Sequence, residues 1–200
     1  RRRGLPPLAE LALVEAVARH ELGEADAALQ LAAEAEEIAA GDALLVARVG
    51  YLRGQIAAER GDVAELERVI AALAPATDLE LRGHRLELIG RRQLLAGDLA
   101  AAAQSLRESA ELRQSVEDFT GMARALALAA EALLKAGDGG TAADLYLRAG
   151  RSAQVEGNRA QAEGWLRRAR DLAQRHDRPL LAREARDLLR ALSEQRPTSG

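Results

Sequence analysis

The sequence predicts an all-α fold, a right-handed α-α superhelix (solenoid) of about five antiparallel helix pairs, and three observations carry that reading. Hydrophobic residues make up 48% of the 200 residues but aromatics only 2%, so the interior has to be built from Ala and Leu at short helix-to-helix distances. The β-branched residues stand singly and never alternate with polar ones over the length of a strand, which leaves no candidate sheet. A Gly followed by an acidic or amide residue recurs at Gly23-Glu24, Gly61-Asp62, Gly97-Asp98, Gly137-Asp138 and Gly157-Asn158, each time between two helical stretches.

Such a dipeptide makes a tight helix-helix corner. The Gly closes one helix in the left-handed conformation, and the side chain after it caps the exposed N–H groups of the next helix. With these corners as punctuation, the helices fall at 7–22, 24–40, 42–60, 62–74, 78–96, 98–116, 119–136, 140–155, 158–175 and 179–194. The last helix sets Leu181, Ala185, Leu188, Leu189 and Leu192 inward and Arg183, Glu184, Arg186, Asp187 and Arg190 outward, the polar cap that a solenoid needs at an end. The domain map is therefore a disordered or linker start at 1–6, a helical repeat domain at 7–194 and a disordered tail at 195–200.

The flanks of the corners repeat as well. Seven residues before each glycine stand Ala16, Gly54, Gly90, Ala130 and Gly150, small enough to let the second helix approach. Five after it come Ala28, Leu66, Ala102, Ala142 and Ala162, and twelve after it Ala35, Leu73, Ser109, Ala149 and Ala169. Nine after it, Ala32, Ile70, Leu106, Tyr146 and Leu166 supply bulk for the next layer. These phased small, Gly-acidic and Ala positions, clearest over 96–110 and 156–169, resemble the tetratricopeptide repeat, a helix-turn-helix unit of about 34 residues. There are departures. The corner-to-corner steps are 38, 36, 40 and 20, so the last interval is one helix and Gly157 marks a turn between pairs. The aromatic that the family often carries eleven residues before the glycine is here Ala12, Gly50, Leu86 and Leu126, with only Tyr146 matching, and the closing proline is missing.

Composition narrows the function. A formal net charge of -3 with 30% charged residues gives no global drive toward nucleic acid or membrane. Absent cysteine excludes disulfides and thiolate metal sites without fixing a compartment, although a cytoplasmic setting is favoured over a periplasmic one. No apolar stretch approaches the roughly 20 residues of a membrane span. The Arg1-Arg2-Arg3 start without Met reads as a trimmed piece of a longer protein, and the Arg-rich, lysine-poor composition as GC-rich bacterial coding.

No catalytic constellation emerges. His20, His84 and His176 share no face at metal-ligand spacing, so no metal or cofactor is expected. The serines lack a strand-to-helix elbow, and Gly137-Asp138-Gly139-Gly140 lacks the following Lys-Ser or Lys-Thr of a phosphate loop and falls at a corner. Trp165, the one tryptophan, is expected half-buried beside Leu166 in preference to a partner hot spot.

What the resemblance implies is a docking scaffold. In that family the first helix of each pair lines a concave groove that grips a peptide or partner helix, and the matching positions here are Arg48, Tyr51, Gln55, His84, Glu87, Arg91, Arg124 and Glu131. The three arginines suit an acidic segment or chain terminus. The clamp of the family's chaperone-tail binders is absent, since Val17, Leu52, Gln55 and Leu88 stand at its asparagine positions. Charge is also uneven: residues 8–47 hold nine acidic residues and one Arg, whereas 148–190 hold eleven Arg and six acidic residues, which suits head-to-tail self-association. Nucleic acid is disfavoured because acids interleave those arginines. The expectation is thus a protein- or peptide-binding scaffold and not an enzyme. Its alternatives are a sensory segment of a larger transcription regulator or an envelope assembly lipoprotein-type repeat protein.

Overall fold

The computed structural model describes residues 8–39 and 41–194, and the expected linker start and tail lie outside them. Ten helices follow one another: α1 (Leu8–Glu21), α2 (Ala25–Ile38), α3 (Ala43–Arg60), α4 (Val63–Ala72), α5 (Leu79–Ala96), α6 (Leu99–Ser115), α7 (Phe119–Lys135), α8 (Gly139–Val155), α9 (Arg159–Arg175) and α10 (Pro179–Glu194). There is no strand among the described residues. Sequential helices pack together, α1 to α4 in the first unit and α6 to α10 in the second, and the fold is the expected all-α arrangement of antiparallel helix pairs. The chain divides into two compact units, with the division inside α5 between Leu88 and Ile89.

One backbone device makes nearly every corner. The residue after the bend sends its N–H back five residues to a carbonyl of the finished helix, closing a six-residue loop, as in Asp98 to Gln93, Asp138 to Leu133 and Asn158 to Ala153. The bend residue takes positive φ at Gly23, Gly61, Gly97, Gly137 and Gly157, as expected, and also at Gly41, which precedes Asp42 and makes a further corner. An Asp or Asn then caps the next helix: the side chains of Asp62, Asp98, Asp138 and Asn158 each accept from a backbone N–H three residues on, at 3.0–3.2 Å. Glu24 departs from the expected capping. It makes no side-chain cap bond and instead accepts from Arg19 Nη1 at 2.7 Å.

Two left-handed bends are made without glycine. Glu117 and Asp177 take the left-handed conformation at φ 60 and 51, and Asp118 and Arg178 close the same six-residue hydrogen bond. Left-handed backbone is costly for a residue with a Cβ. At the first of these corners a buried guanidinium braces the bend: Arg113, 1% exposed, bonds Asp118 through Nη1 and Ser109 Oγ through Nε at 3.3 Å. In the second unit the bends therefore fall at residues 97, 117, 137, 157 and 177, one helix every twenty residues. The short step at Gly157 is the regular one, and the longer step before it contains the glycine-free bend at Glu117, in the expected break between helices 98–116 and 119–136.

The core of each unit is assembled from the register rows. In the first, Ala16, Ala28, Ala32 and Ala35 of the α1–α2 pair receive Val49, Leu52 and Ile56 of α3. Leu66 and Val69 of α4 and Leu73 at its C-cap meet Leu81 and Leu88 of α5. In the second, Leu106, Tyr146 and Leu166 interleave with Ala130, Ala142, Ala149, Ala162 and Ala169. The small positions are small because bulk presses on them: a Cβ on Gly90 would lie 2.5 Å from Leu106 Cγ, and one on Gly150 2.6 Å from Leu166 Cγ. Trp165 is half-buried against this second core, as expected. On α10, Leu181, Ala185 and Leu192 are buried while Arg183, Arg186, Asp187 and Arg190 face solvent.

Candidate functional site

Within the first unit, α3 presents Arg48, Tyr51 and Gln55 to Glu80, His84 and Glu87 of α5, and the six side chains knit together. Arg48 grips Glu80 with both prongs, Nε to Oε1 at 2.8 Å and Nη2 to Oε2 at 2.9 Å. That shared hydrogen bond raises the Arg48 pKa and lowers that of Glu80, against the opposing pull of desolvation. Tyr51 Oη donates to Glu87 Oε2 at 2.7 Å, and Gln55 Nε2 donates to Tyr51 Oη at 3.0 Å and Glu87 Oε1 at 3.4 Å. The Tyr51 and His84 rings stack with centroids 3.9 Å apart and planes within 5°. Five of the eight sequence-predicted groove residues thus meet here, four of them buried: Tyr51, Gln55, His84 and Glu87, the last fully. Arg48 remains half-exposed.

The other three lie in the second unit. Arg91 and Arg124 are half-buried, and Glu131 is half-buried on the rim of an open cleft of about 340 Å³ formed by α7, α8 and α9. The apolar part of the cleft is Leu134, Leu172 and the body of Tyr146. Arg168 spans it, donating from Nη1 to Glu131 Oε1 at 3.2 Å and to Tyr146 Oη at 3.2 Å, with its guanidinium 5.5 Å from the Tyr146 ring centroid. Burial, then the Glu131 charge, pushes the Tyr146 hydroxyl pKa up despite Arg168, and the Tyr146 hydrogen bond raises that of Arg168. Asp171 is engaged by Arg170 at 2.7 Å.

Two cations of this cleft are uncommitted. Lys135 and Arg175, in the last turns of α7 and α9, are exposed and have no carboxylate in ion-pair range among the described residues. The helix C-termini favour positive charge there, but exposed contributions of this kind are worth only about 0.3–1 kcal/mol. An incoming anion therefore displaces no existing ion pair.

Arg168, Lys135 and Arg175 were not reached from the sequence, although a signal existed. Asp177 ends α9 as Gly137 ends α7, so Arg168 stands nine residues before its bend. The residues at that station in the earlier repeats are Leu52, Leu88 and Leu128, and a charge in an apolar row marks a departure from packing.

A second cleft, of about 450 Å³, lies in the first unit among α2, α3 and α4. It exists because α4 has 10 residues against 18 in α3, leaving Ala43, Ala47 and Gly50 uncovered. Its rim charges satisfy one another: Arg53 bridges Glu36 at 2.9 Å and Glu65 at 2.8 Å, and Arg68 meets Glu65 at 2.7 Å.

Fold and clefts together define a helical-repeat protein of stacked helix pairs. No protein-family model matches the chain, and a search of curated proteins finds no match. No described helix is long and apolar enough to cross a membrane.

Proposed function

We propose that this chain is a non-catalytic protein-interaction scaffold of the tetratricopeptide-like kind, and that the cleft of α7, α8 and α9 receives a partner segment carrying carboxylates beside an apolar side chain. The observation that carries this reading is the pair of uncommitted cations, Lys135 and Arg175, beside an apolar surface of Leu134, Leu172 and Tyr146. Arg168, already oriented by Glu131 and Tyr146, is placed to share a carboxylate. The sequence-based reading assigned carboxylate contacts to Arg48, Arg91 and Arg124, but Arg48 is occupied by Glu80. The carboxylates of both clefts are engaged by guanidinium groups, which suits binding rather than proton transfer.

Isothermal titration with synthetic peptides tests the proposal. A Glu/Leu peptide is expected to bind, more weakly as salt rises, while matched Lys/Leu and Glu/Ser peptides do not. Lys135→Glu and Arg175→Glu each weaken binding severalfold, and the double variant abolishes it. Equal binding of all three peptides, or undiminished binding by the double variant, would overturn the assignment.

A further inference from the structure

The outer face of α1 carries a run of exposed apolar side chains, with Leu8 72%, Leu11 50%, Val14 67% and, just beyond the helix, Leu22 74% accessible. The repeat register shows what these stations do elsewhere. α1 and α3 end at equivalent bends, Gly23 and Gly61, so Leu11, Val14 and Ala18 occupy the stations of Val49, Leu52 and Ile56. On α3 that row is buried against Ala16, Ala28, Ala32 and Ala35 of the preceding pair. On α1 it is bare.

The α9–α10 pair offers the matching surface. The α9–α10 pair bends at Asp177 as the α1–α2 pair bends at Gly23, so the stations that receive α3 can be read off α9 and α10. Three polar contacts fix α3 on α1–α2: Arg53 with Glu36 at 2.9 Å, Arg60 with Asp26 at 2.7 Å, and His20 with Glu59 at 2.8 Å. Transferred by register to a following copy, the first becomes Glu15 opposite Arg190. The second becomes Leu22 opposite Leu180, which is 81% exposed, and the third Glu21 opposite Gln174. All three are compatible: an ion pair with its signs exchanged, two bare leucines, and a carboxylate with an amide.

Sizes exchange too. Arg170 and Arg186 stand where the first pair has Ala16 and Ala32, while the facing row has Val14 and Ala18 where α3 has Leu52 and Ile56. The longer aliphatic stems on one side meet shorter side chains on the other. Arg190 has no ion pair among the described residues, and docking in this register would bring the acidic 8–47 stretch of one copy to the Arg-rich 148–190 stretch of the next. A two-fold pairing of α1 with α1 is disfavoured, because Glu15 sits at the middle of the Leu8, Leu11, Ala18, Leu22 stripe and would oppose itself.

We infer that copies of this chain associate head to tail, the bare face of α1 docking on the α9–α10 pair of the next copy in the register that α3 uses on α1–α2. Sedimentation velocity over a concentration series, at low and high salt, tests it. The wild-type protein grows in mass with concentration at low salt and does so less at high salt. Glu15→Arg and Arg190→Glu each abolish growth, the doubly exchanged chain recovers it, and an equimolar mixture of the two single variants recovers it too, in alternation, because the head of each matches the tail of the other. Both positions are exposed, and circular dichroism confirms that the variants keep their helices. A wild type that stays monomeric at millimolar concentration and low salt overturns the inference. So does association that the single exchanges leave intact, or that the double exchange does not restore.

Discussion

Gly150 and Gly164 sit in neighbouring helices, α8 and α9, and the same substitution at each should have opposite signs. A Cβ at Gly164 meets nothing within 4 Å, so Gly164→Ala collects the ordinary helix preference of Ala over Gly, about 1 kcal/mol. At Gly150 that preference is opposed. The added carbon would lie 2.6 Å from Leu166 Cγ, 2.8 Å from its Cδ2 and 3.3 Å from its backbone N, so a rotamer change alone does not clear it. Overpacking of this kind costs about 1–3 kcal/mol, which leaves Gly150→Ala destabilised by about 1 kcal/mol and separates the two variants by about 2 kcal/mol. Urea unfolding followed by Trp165 fluorescence and by circular dichroism reads the difference; with a slope of about 2 kcal/mol per molar, the midpoints should stand about 1 M apart. If both variants shift the same way, close approach of α8 and α9 at the small station is not what that glycine is for.

Glu117→Gly should stabilise the second unit by about 0.5 kcal/mol, since relief of the left-handed backbone exceeds the entropy that Gly adds to the unfolded chain; a lower urea midpoint would contradict this. Tyr51→Phe removes a 2.7 Å hydrogen bond to the fully buried Glu87 and should cost the first unit about 1–3 kcal/mol by the same assay, whereas an unchanged midpoint would mean that the polar cluster contributes nothing to stability. Arg48 holds the Glu80 carboxyl below its ordinary pKa, so this pair adds stability that is complete above about pH 5 and is lost as acidification passes the folded-state value. Glu80→Gln should therefore flatten part of the acid limb of a stability-against-pH curve and leave the neutral region uniformly lower. A parallel downward shift at every pH would argue against the linkage.

The helices and their order were legible because bends are made locally: a Gly, an Asx cap and one backbone hydrogen bond leave a sequence mark at each. The rows of small residues were legible for the same reason, as Gly90 and Gly150 show. The breaks at 117–118 and 176–178 were legible, but the left-handed residues in them, Glu117 and Asp177, carry no glycine mark; Arg113 braces the first bend, and such help leaves no local signal. Both breaks fell between expected helices, but the register rows were counted from the glycine corners alone, and Arg168 was not reached. Five of the residues named for the groove come together on α3 and α5, but register alone does not say whether a polar side chain faces solvent or another polar side chain. Tyr51, Gln55 and Glu87 satisfy one another because complementary groups stand on adjacent helices, a fact about pairs that single positions do not carry.

The even cadence of bends from residue 97 to residue 177 constrains how such a chain can lengthen. Adding one helix with its bend would reverse the direction of everything downstream and turn a buried row outward. Adding two restores both direction and facing. Growth or loss in this part of the molecule is therefore quantised in double steps, and a chimera that inserts or removes forty residues at a bend should keep its fold where one that moves twenty should not.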